Sequence, residues 1–422
     1  MHAVVIAAFA VSAALGQGAP AGSNQNTPPP PPPAVEPVAT PPPPPPMVAA
    51  ETASDNPAKQ ALIASEGDAR WGLVGVSTAA GLSTYGWLLP TAFGVTGGTQ
   101  FAGAYMLTAA ASFFVPFALT LNTPATWGMA NMLYGAASHG PFHGFLAYVM
   151  LSPDFMTFNG QQVALSSLLF GAAEIAGAML WANYTNMTAG TAHAIIVGAD
   201  IGAGVSYAVS IIILASLQNT SLPQQVPAGL ALAGSAAGVV AGSYLGPMLR
   251  LTWGDAELLW ISTLLGAYVT VPFVFWATPN GAIPDARALA GLGLLGAAGG
   301  ATAGYFLLQG VHLELGQAIL IDLGAAAGGL LGLGTALVLG AFNDQQNGSK
   351  IVMTSVMVGA VGGYAVSYFA MKSQMIPKKA GAQVQVTFNP MALADVLAPK
   401  AAPQVARMGE RAPPALALVG SF

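Results

Sequence analysis

Residues 234–246 read Gly-Ser-Ala-Ala-Gly-Val-Val-Ala-Gly-Ser-Tyr-Leu-Gly and place four glycines four residues apart, at Gly234, Gly238, Gly242 and Gly246. On an α-helix such residues share one face. A second helix can bring its backbone close to that face, which is how helices associate in lipid. In water each glycine would cost the helix about 1 kcal/mol relative to alanine. In a membrane the helix is almost obligatory. The stretch therefore predicts a membrane helix with a glycine contact face, and the larger apolar residues in between argue against a flexible linker.

The same spacing returns further along the chain, with Ile, Val and Leu between the glycines. We expect each of these faces to pack against a neighbouring helix. The predicted helix-packing glycines are Gly234, Gly238, Gly242, Gly246, Gly296, Gly300, Gly304, Gly324, Gly328, Gly332, Gly359 and Gly363.

The composition indicates an integral membrane protein. The 422 residues are 54% apolar and only 6% charged, whereas soluble domains carry about 25% charged residues. The absence of cysteine excludes disulfides, thiolate metal sites and a lipid-bearing cysteine. The formal net charge of -5 is small and gives no indication of a nucleic-acid partner.

The chain divides into four predicted parts. Residues 1–16 are typical of a signal peptide, with an apolar run before a small-residue cleavage site. The alternative, a first transmembrane helix, is disfavoured because the run is too short. Residues 17–57 contain two proline tracts and form a linker of stiff polyproline II, a spacer or a binding site for a periplasmic or surface partner. Residues 58–373 form the helical membrane domain, and residues 374–422 a C-terminal extension.

The membrane domain is expected to contain about ten helices, each long enough to cross a bilayer. A Gly-x-Ala triplet opens every second helix and recurs about every 62 residues. The predicted fold is therefore an all-α membrane protein of five consecutive helical hairpins that stack sideways. The triplets begin at Gly67, Gly128, Gly190, Gly254 and Gly316, and the predicted segments are 66–89, 99–121, 126–150, 161–184, 190–217, 226–249, 254–277, 285–309, 313–340 and 349–373.

The C-terminal extension changes character. Residues 383–388 alternate polar and apolar side chains, which predicts a short strand. The terminal Phe422 follows alternating residues and is similar to the assembly signal that ends outer-membrane barrels. A disordered or edge-pairing tail is the favoured interpretation, since no barrel strands precede it.

Three acidic residues, Glu174, Asp200 and Asp322, lie within predicted spans. Ionisable residues are costly there and are functional candidates by default. No Lys or Arg lies near them in the sequence. We favour protonated carboxyl groups that form hydrogen bonds with a hydroxyl or carbonyl group on a facing helix. The alternative is a proton or cation path, which requires that the three acids converge on one cavity.

Other polar residues are assigned to helix ends. Asp68, Glu257 and Glu314 are expected to cap free amides at helix starts. His139 and His143 have a spacing that could bind a metal on a helix. Gly140-Pro141 is expected to break that helix, which places the pair in an interfacial loop without a third ligand. His193 and His312 are likewise placed at helix ends. No metal or cofactor is predicted, and no nucleotide loop or catalytic triad supports an enzyme.

The cellular membrane is inferred from charge. No Lys or Arg occurs between Trp71 and Leu249, so almost half of the domain has no positive-inside signal. Helices rich in small residues are also weak stop-transfer segments. With a signal peptide, this favours the outer membrane of a Gram-negative bacterium over the inner membrane.

Residues 58–373 resemble the α-helical, ring-forming outer-membrane proteins of predatory bacteria. The resemblance rests on the stripes Gly234/Gly238/Gly242 and Gly296/Gly300/Gly304, on the openers Gly67-Asp-Ala69 and Gly254-Asp-Ala256, and on the linker. The resemblance implies a homo-oligomer that encloses a patch of lipid. It does not identify any functional residue in this sequence. The expected function is structural, in shaping or enclosing lipid. The alternative is an inner-membrane channel or transporter for a small solute or ion, with the three acids lining its path.

Overall fold

The computed structural model describes residues 57–152, 159–216, 225–279, 284–339, 347–378, 384–388 and 416–420, with Ala282 and Ala341. The predicted signal peptide 1–16 lies outside the described residues, as does the linker 17–57 apart from its last residue. The described chain is helical almost throughout, so the all-α prediction is confirmed.

The helices follow the apolar segments of the sequence. They are α1 Pro57–Glu66, α2 Arg70–Ala80, α3 Gly86–Ala92, α4 Gly98–Leu119, α5 Trp127–Leu151, α6 Gly160–Thr185, α7 Ala189–Ser216, α8 Gln225–Met248, α9 Trp253–Val269, α10 Val271–Ala277, α11 Ala286–Leu307, α12 Leu315–Val338 and α13 Gly348–Met371. Eight segments within the described residues are long and apolar enough to cross a bilayer. The chain is thus a membrane protein.

The prediction of ten helices is wrong, because two predicted segments are divided and α1 lies before the first of them. A π-helical turn, Gly81–Tyr85, separates α2 from α3. A π turn shifts the backbone hydrogen bonds by one residue, and the hydroxyl of Tyr105 donates to the carbonyl of Leu82 in this turn at 2.7 Å. The other division lies at Thr270, between α9 and α10. Pro272 has no amide hydrogen and its ring crowds the carbonyl four residues earlier.

The expected break at Gly140-Pro141 does not occur, and α5 runs through it without interruption. In lipid a broken helix would leave backbone groups without partners, which costs more than a proline in a helix. The hydroxyl of Ser138 donates to the carbonyls of Tyr134 and Gly135 in the preceding turn. His139 and His143 therefore lie inside a helix, and their placement in a loop is wrong.

Two short antiparallel ladders complete the described structure. Strand β1, Val311–His312, pairs with β2, Ile376–Pro377. Strand β3, Val384–Phe388, pairs with β4, Leu416–Gly420. The segment expected to be a strand is therefore one, and its partner comes from the C-terminal tail, which agrees with the edge-pairing interpretation.

The chain forms two compact units. Unit 1 contains the described residues up to Ala192 and 225–232, and unit 2 contains 193–216 and the described residues from Ala233 onward. In unit 2 the core is formed by Leu258, Ile261, Leu308, Leu313, Ala318, Ile321, Tyr368 and Met375. One core cluster of unit 1 is formed by Ala69, Leu73, Ala125, Ala130 and Leu133.

Glycines line the closest helix contacts of unit 2. A Cβ atom at Gly238 would overlap the carbonyl oxygen of Gly198 on the facing helix α7. One at Gly328 would overlap the carbonyl oxygen of Gly359 on α13. Among the predicted glycines, those for which such a contact is described are Gly234, Gly238 and Gly242 against α7, Gly296, Gly300 and Gly304 against α9, Gly324, Gly328 and Gly332 against α13, and Gly359 and Gly363 against α12.

Helix α1 is held to the rest of unit 1 by two polar contacts near the ends of α6 and α7. The ammonium of Lys59, which is buried, donates to the amide oxygen of Asn183 at 3.2 Å. The carboxylate of Glu66 accepts from the amide of Ala189 at 3.2 Å. Burial raises the pKa of Glu66, and this backbone hydrogen bond opposes the rise. Burial likewise lowers the pKa of Lys59.

The raised pKa of Glu66 predicts a stability that falls with increasing pH. The folded protein binds this proton more tightly than the unfolded chain, so the stabilisation is complete below the unfolded pKa, about 4.3. It is lost as the pH rises through the folded pKa. Thermal unfolding in detergent should therefore show that Glu66→Gln gains stability relative to the wild type between pH about 4 and 7. A difference that is constant across this range would contradict the prediction.

Candidate functional site

Each unit contains a histidine bonded to a carboxylate inside the helical region. In unit 1, Nδ1 of His143 on α5 lies 2.6 Å from Oε1 of Glu174 on α6. The helices can approach here because a Cβ at Gly140 would come within 2.5 Å of the Cα of Gly171. Glu174 is therefore held by an imidazole, whereas the sequence favoured a hydroxyl or carbonyl partner.

The neighbours of this pair do not form a metal site. The rings of His139 and His143 have centroids 5.8 Å apart. A Cβ at Gly171 would overlap the hydroxyl of Tyr85, the last residue of the π turn. Among the described residues, no group of three His, Asp or Glu side chains has an arrangement that could hold a metal ion.

The pair in unit 2 joins α7 to α9. Nε2 of His193 lies 2.5 Å from Oε2 of Glu257, and the exposed fractions of their side chains are 5% and 16%. The indole ring of Trp253 lies against the imidazole, with centroids 5.8 Å apart. His193 lies near the start of α7 as expected. The capping role for Glu257 is wrong, because Thr252 and Asp255 form the capping box of α9.

Asp322 on α12 extends this pair to a third helix. Glu257 is the acidic neighbour of its carboxyl group. The arrangement is thus a row of titratable groups, His193, Glu257 and Asp322, across α7, α9 and α12.

Unit 2 contains a second histidine–carboxylate pair, and both oxygens of its carboxylate have hydrogen-bond partners. Asp255 is completely buried. One carboxylate oxygen accepts from the amide of Leu313 at 2.9 Å, and the other lies 2.6 Å from Nδ1 of His312. The second oxygen also accepts from the amide of Thr252 at 3.2 Å. These hydrogen bonds connect the start of α9 to the turn before α12. A buried carboxylate with a hydrogen-bond partner for each of its oxygens is typical of a structural role.

The remaining acids of the prediction have separate positions. Glu314 caps α12 together with Gln317, as expected. Asp68 accepts from the amide of Arg70 at 3.0 Å, beside the start of α2. Asp200 lies on α7 in unit 2. Glu174 in unit 1 has His143 as its partner, and Asp322 lies in unit 2.

One feature of the sequence relates His193 to Glu257, the pair that joins α7 to α9. His193 directly follows the triplet that begins at Gly190, and Glu257 directly follows the one that begins at Gly254. Asn131 has the same place after the triplet at Gly128, and its buried amide donates to the carbonyl of Ala189 at 3.1 Å. Equivalent positions in successive triplets thus face one another or the adjoining turn.

Comparison with known proteins gives no relative: no family model, no curated protein and no solved structure matches this chain.

Proposed function

We propose that this chain is a structural protein of the outer membrane, which forms homo-oligomers and shapes or encloses lipid. The observation that carries the proposal is the division of helices such as α12 into a glycine face and a bulky apolar face. On α12, Gly328 faces α13, whereas Leu330 and Leu331 are 69% and 73% exposed. Exposed leucines are stable in lipid and unfavourable in water.

The proposed architecture is five glycine-faced hairpins that stack in chain order. The carbonyl of Ala125, just before the second triplet, accepts from the amide of Ala69 in the first at 3.0 Å. A Cβ at Gly128 would overlap the carbonyl of Met187, just before the third triplet. The hydroxyl of Thr252 donates to the carbonyl of Leu313, just before the fifth, at 2.6 Å. Each contact joins a triplet, or in the last case the residues just before one, to the turn before the next triplet along the chain, which is the connectivity of a row.

We expect helix α4 of unit 1 to form contacts between copies in the proposed oligomer. None of the residues of α4 is buried, and Met106, Leu107 and Phe114 are all more than 60% exposed. Since an isolated chain leaves this apolar surface uncovered, lipid and a second copy are the occupants that fit its chemistry. The role is structural because the glycine faces pack helix against helix and leave a wide apolar surface toward lipid.

Fractionation of cell membranes on a sucrose gradient tests the location. We expect the protein at outer-membrane density, and in nanodiscs we expect images with several copies around a lipid patch. Recovery at inner-membrane density, or single copies only, would overturn the proposal. The first of these results would instead favour the alternative from the sequence, an inner-membrane channel or transporter.

A further inference from the structure

Arg70, the first residue of α2, carries a charge that has no counter-ion among the described residues. Its side chain forms no ion pair and no hydrogen bond in that part of the chain. The Nε atom is buried, whereas the side chain as a whole is half-buried, so the terminal nitrogens of the guanidinium remain accessible. An arginine side chain does not lose its proton in a protein. This positive charge therefore needs an anion from outside the described chain.

The acid closest to Arg70 in the sequence does not neutralise it. One oxygen of the Asp68 carboxylate accepts from the backbone amide of Arg70 at 3.0 Å, and the guanidinium lies beyond ion-pair distance. The other basic residue in the described part of unit 1, Lys59, donates to the amide oxygen of Asn183. The described part of unit 1 contains no further Lys or Arg. Arg70 is thus its accessible positive charge.

Two aromatic rings fix the position of the guanidinium. Its central carbon lies 4.8 Å from the ring centroid of Phe117 and 5.6 Å from that of Trp71. The centroids of the two rings are 5.9 Å apart. The negative face of an aromatic ring attracts a cation. This attraction holds the guanidinium in place without neutralising its charge or using up its accessible N–H donors.

This cluster lies at one end of unit 1, where helices reach the membrane surface. Phe117 is the third-last residue of α4, which is long and apolar enough to span a bilayer. Trp127 is the first residue of α5, and a Cβ at Gly72 would come within 2.5 Å of its ring. Trp71 is 66% exposed. Because tryptophan is enriched at the level of the lipid headgroups, the guanidinium lies at the depth of the lipid phosphates.

We propose that Arg70, held by Phe117 and Trp71, binds the phosphate group of a membrane phospholipid. A planar guanidinium can donate two parallel N–H···O hydrogen bonds to phosphate oxygens. The acyl chains of the same lipid would cover the apolar surface of α4, where Phe114 is 63% exposed. A phospholipid is favoured over free phosphate because it satisfies both surfaces. The inference requires a membrane, and it depends neither on the proposed oligomer nor on the proposed outer-membrane location.

Native mass spectrometry of the full-length protein in detergent tests the proposal. The probes are phosphatidylglycerol and a diacylglycerol with the same acyl chains and no phosphate. We expect the wild type to bind phosphatidylglycerol more tightly than diacylglycerol. Arg70→Gln should weaken the binding of phosphatidylglycerol by about 10-fold, the effect of losing a hydrogen bond to a charged group. It should leave the binding of diacylglycerol unchanged.

Arg287→Gln is the matched control, because it removes an arginine from the start of α11 whose guanidinium already lies 3.2 Å from the carboxylate of Asp285. We expect it to bind phosphatidylglycerol like the wild type. No loss with Arg70→Gln, or an equal loss with both substitutions, would overturn the proposal. Displacement of the lipid by an equal concentration of glycerol phosphate would also overturn it, since the ligand would then be free phosphate.

A second variant decides the question if Arg70→Gln does not fold. Phe117→Leu removes the ring closest to the guanidinium and keeps an apolar side chain at this position. It should weaken the binding of phosphatidylglycerol and leave that of diacylglycerol unchanged. An unchanged affinity for phosphatidylglycerol, or a wild type that binds the two lipids equally, would contradict a phosphate site at Arg70.

Discussion

Replacing Gly328 by alanine should separate α12 from α13 and destabilise unit 2 by about 1–3 kcal/mol, the usual cost of forcing atoms into a packed contact. The added methyl group would overlap the carbonyl oxygen of Gly359 and come within 3.0 Å of the Cα of Gly363. Both are backbone atoms on the facing helix, so no side chain can rotate away. The helices must move apart and lose contacts along the interface. Unfolding of the protein by SDS, followed by circular dichroism, measures the free-energy difference.

The adjacent residue supplies the control. A Cβ at Gly329 would lie 3.6 Å from the Cβ of Ala360, an ordinary van der Waals distance. Gly329→Ala makes the same chemical change on the same helix and should leave the free energy of unfolding unchanged within about 0.5 kcal/mol. Equal effects of the two substitutions would show that helix propensity, and not the close contact, determines the outcome.

Replacing Asp255 by alanine should destabilise unit 2 by about 3–5 kcal/mol, because three donors lose their acceptor and each buried donor left without one costs about 1–3 kcal/mol. The substitution takes the acceptor away from the amides of Thr252 and Leu313 and from the ring of His312. Because Asp255 is completely buried, water cannot replace the lost acceptor without opening the turn. The change should appear as a lower unfolding temperature in detergent and as faster proteolysis near residue 312.

Asp68 is the matched control, since it stands at the same place in a Gly-Asp-Ala triplet. Its side chain is exposed and accepts from the amide of Arg70. Asp68→Ala should change the free energy of unfolding by less than about 0.5 kcal/mol. A large loss at Asp68, or a negligible one at Asp255, would contradict the assignment of Asp255 as the fastener of the turn before α12.

The helical class could be predicted because few residue types are compatible with both lipid and close helix contact. The spacing of Gly324, Gly328 and Gly332 by itself indicated a contact face. It could not indicate which helix covers that face, since pairing depends on the register between two segments. The contacts with Gly359 and Gly363 became visible only in the structure.

The helix boundaries show where local rules fail. Pro141 and Pro272 are both prolines within apolar segments, yet α5 continues through the first and α9 ends before the second. The rule that proline breaks a helix takes no account of its surroundings. In α5 the hydroxyl of Ser138 donates to the carbonyls of Tyr134 and Gly135, whereas the carbonyl that Pro141 leaves without its helical donor is that of Ala137. Whether a helix continues through a proline depends on the groups around it, which single positions in the sequence do not give.

The sequence identifies the acidic residues but does not identify the side chains that they contact. Glu174 and Asp322 were flagged because charge within a span is costly. From the sequence alone, His143 is expected in a loop and Glu257 at a helix cap. His193 and Glu257 are 64 positions apart by their numbers, so only the shared place after a Gly-x-Ala triplet could have joined them.

The central claim, that glycine faces pack together while bulky apolar side chains meet lipid, is tested most directly by spin labels. The chain contains no cysteine, so single variants Leu323→Cys and Leu331→Cys each carry one label. Both leucines lie on α12 and are 58% and 73% exposed. In a reconstituted bilayer, both labels should collide more often with apolar oxygen than with a water-soluble nickel complex. Preferential collision with the nickel complex at these positions would contradict the account.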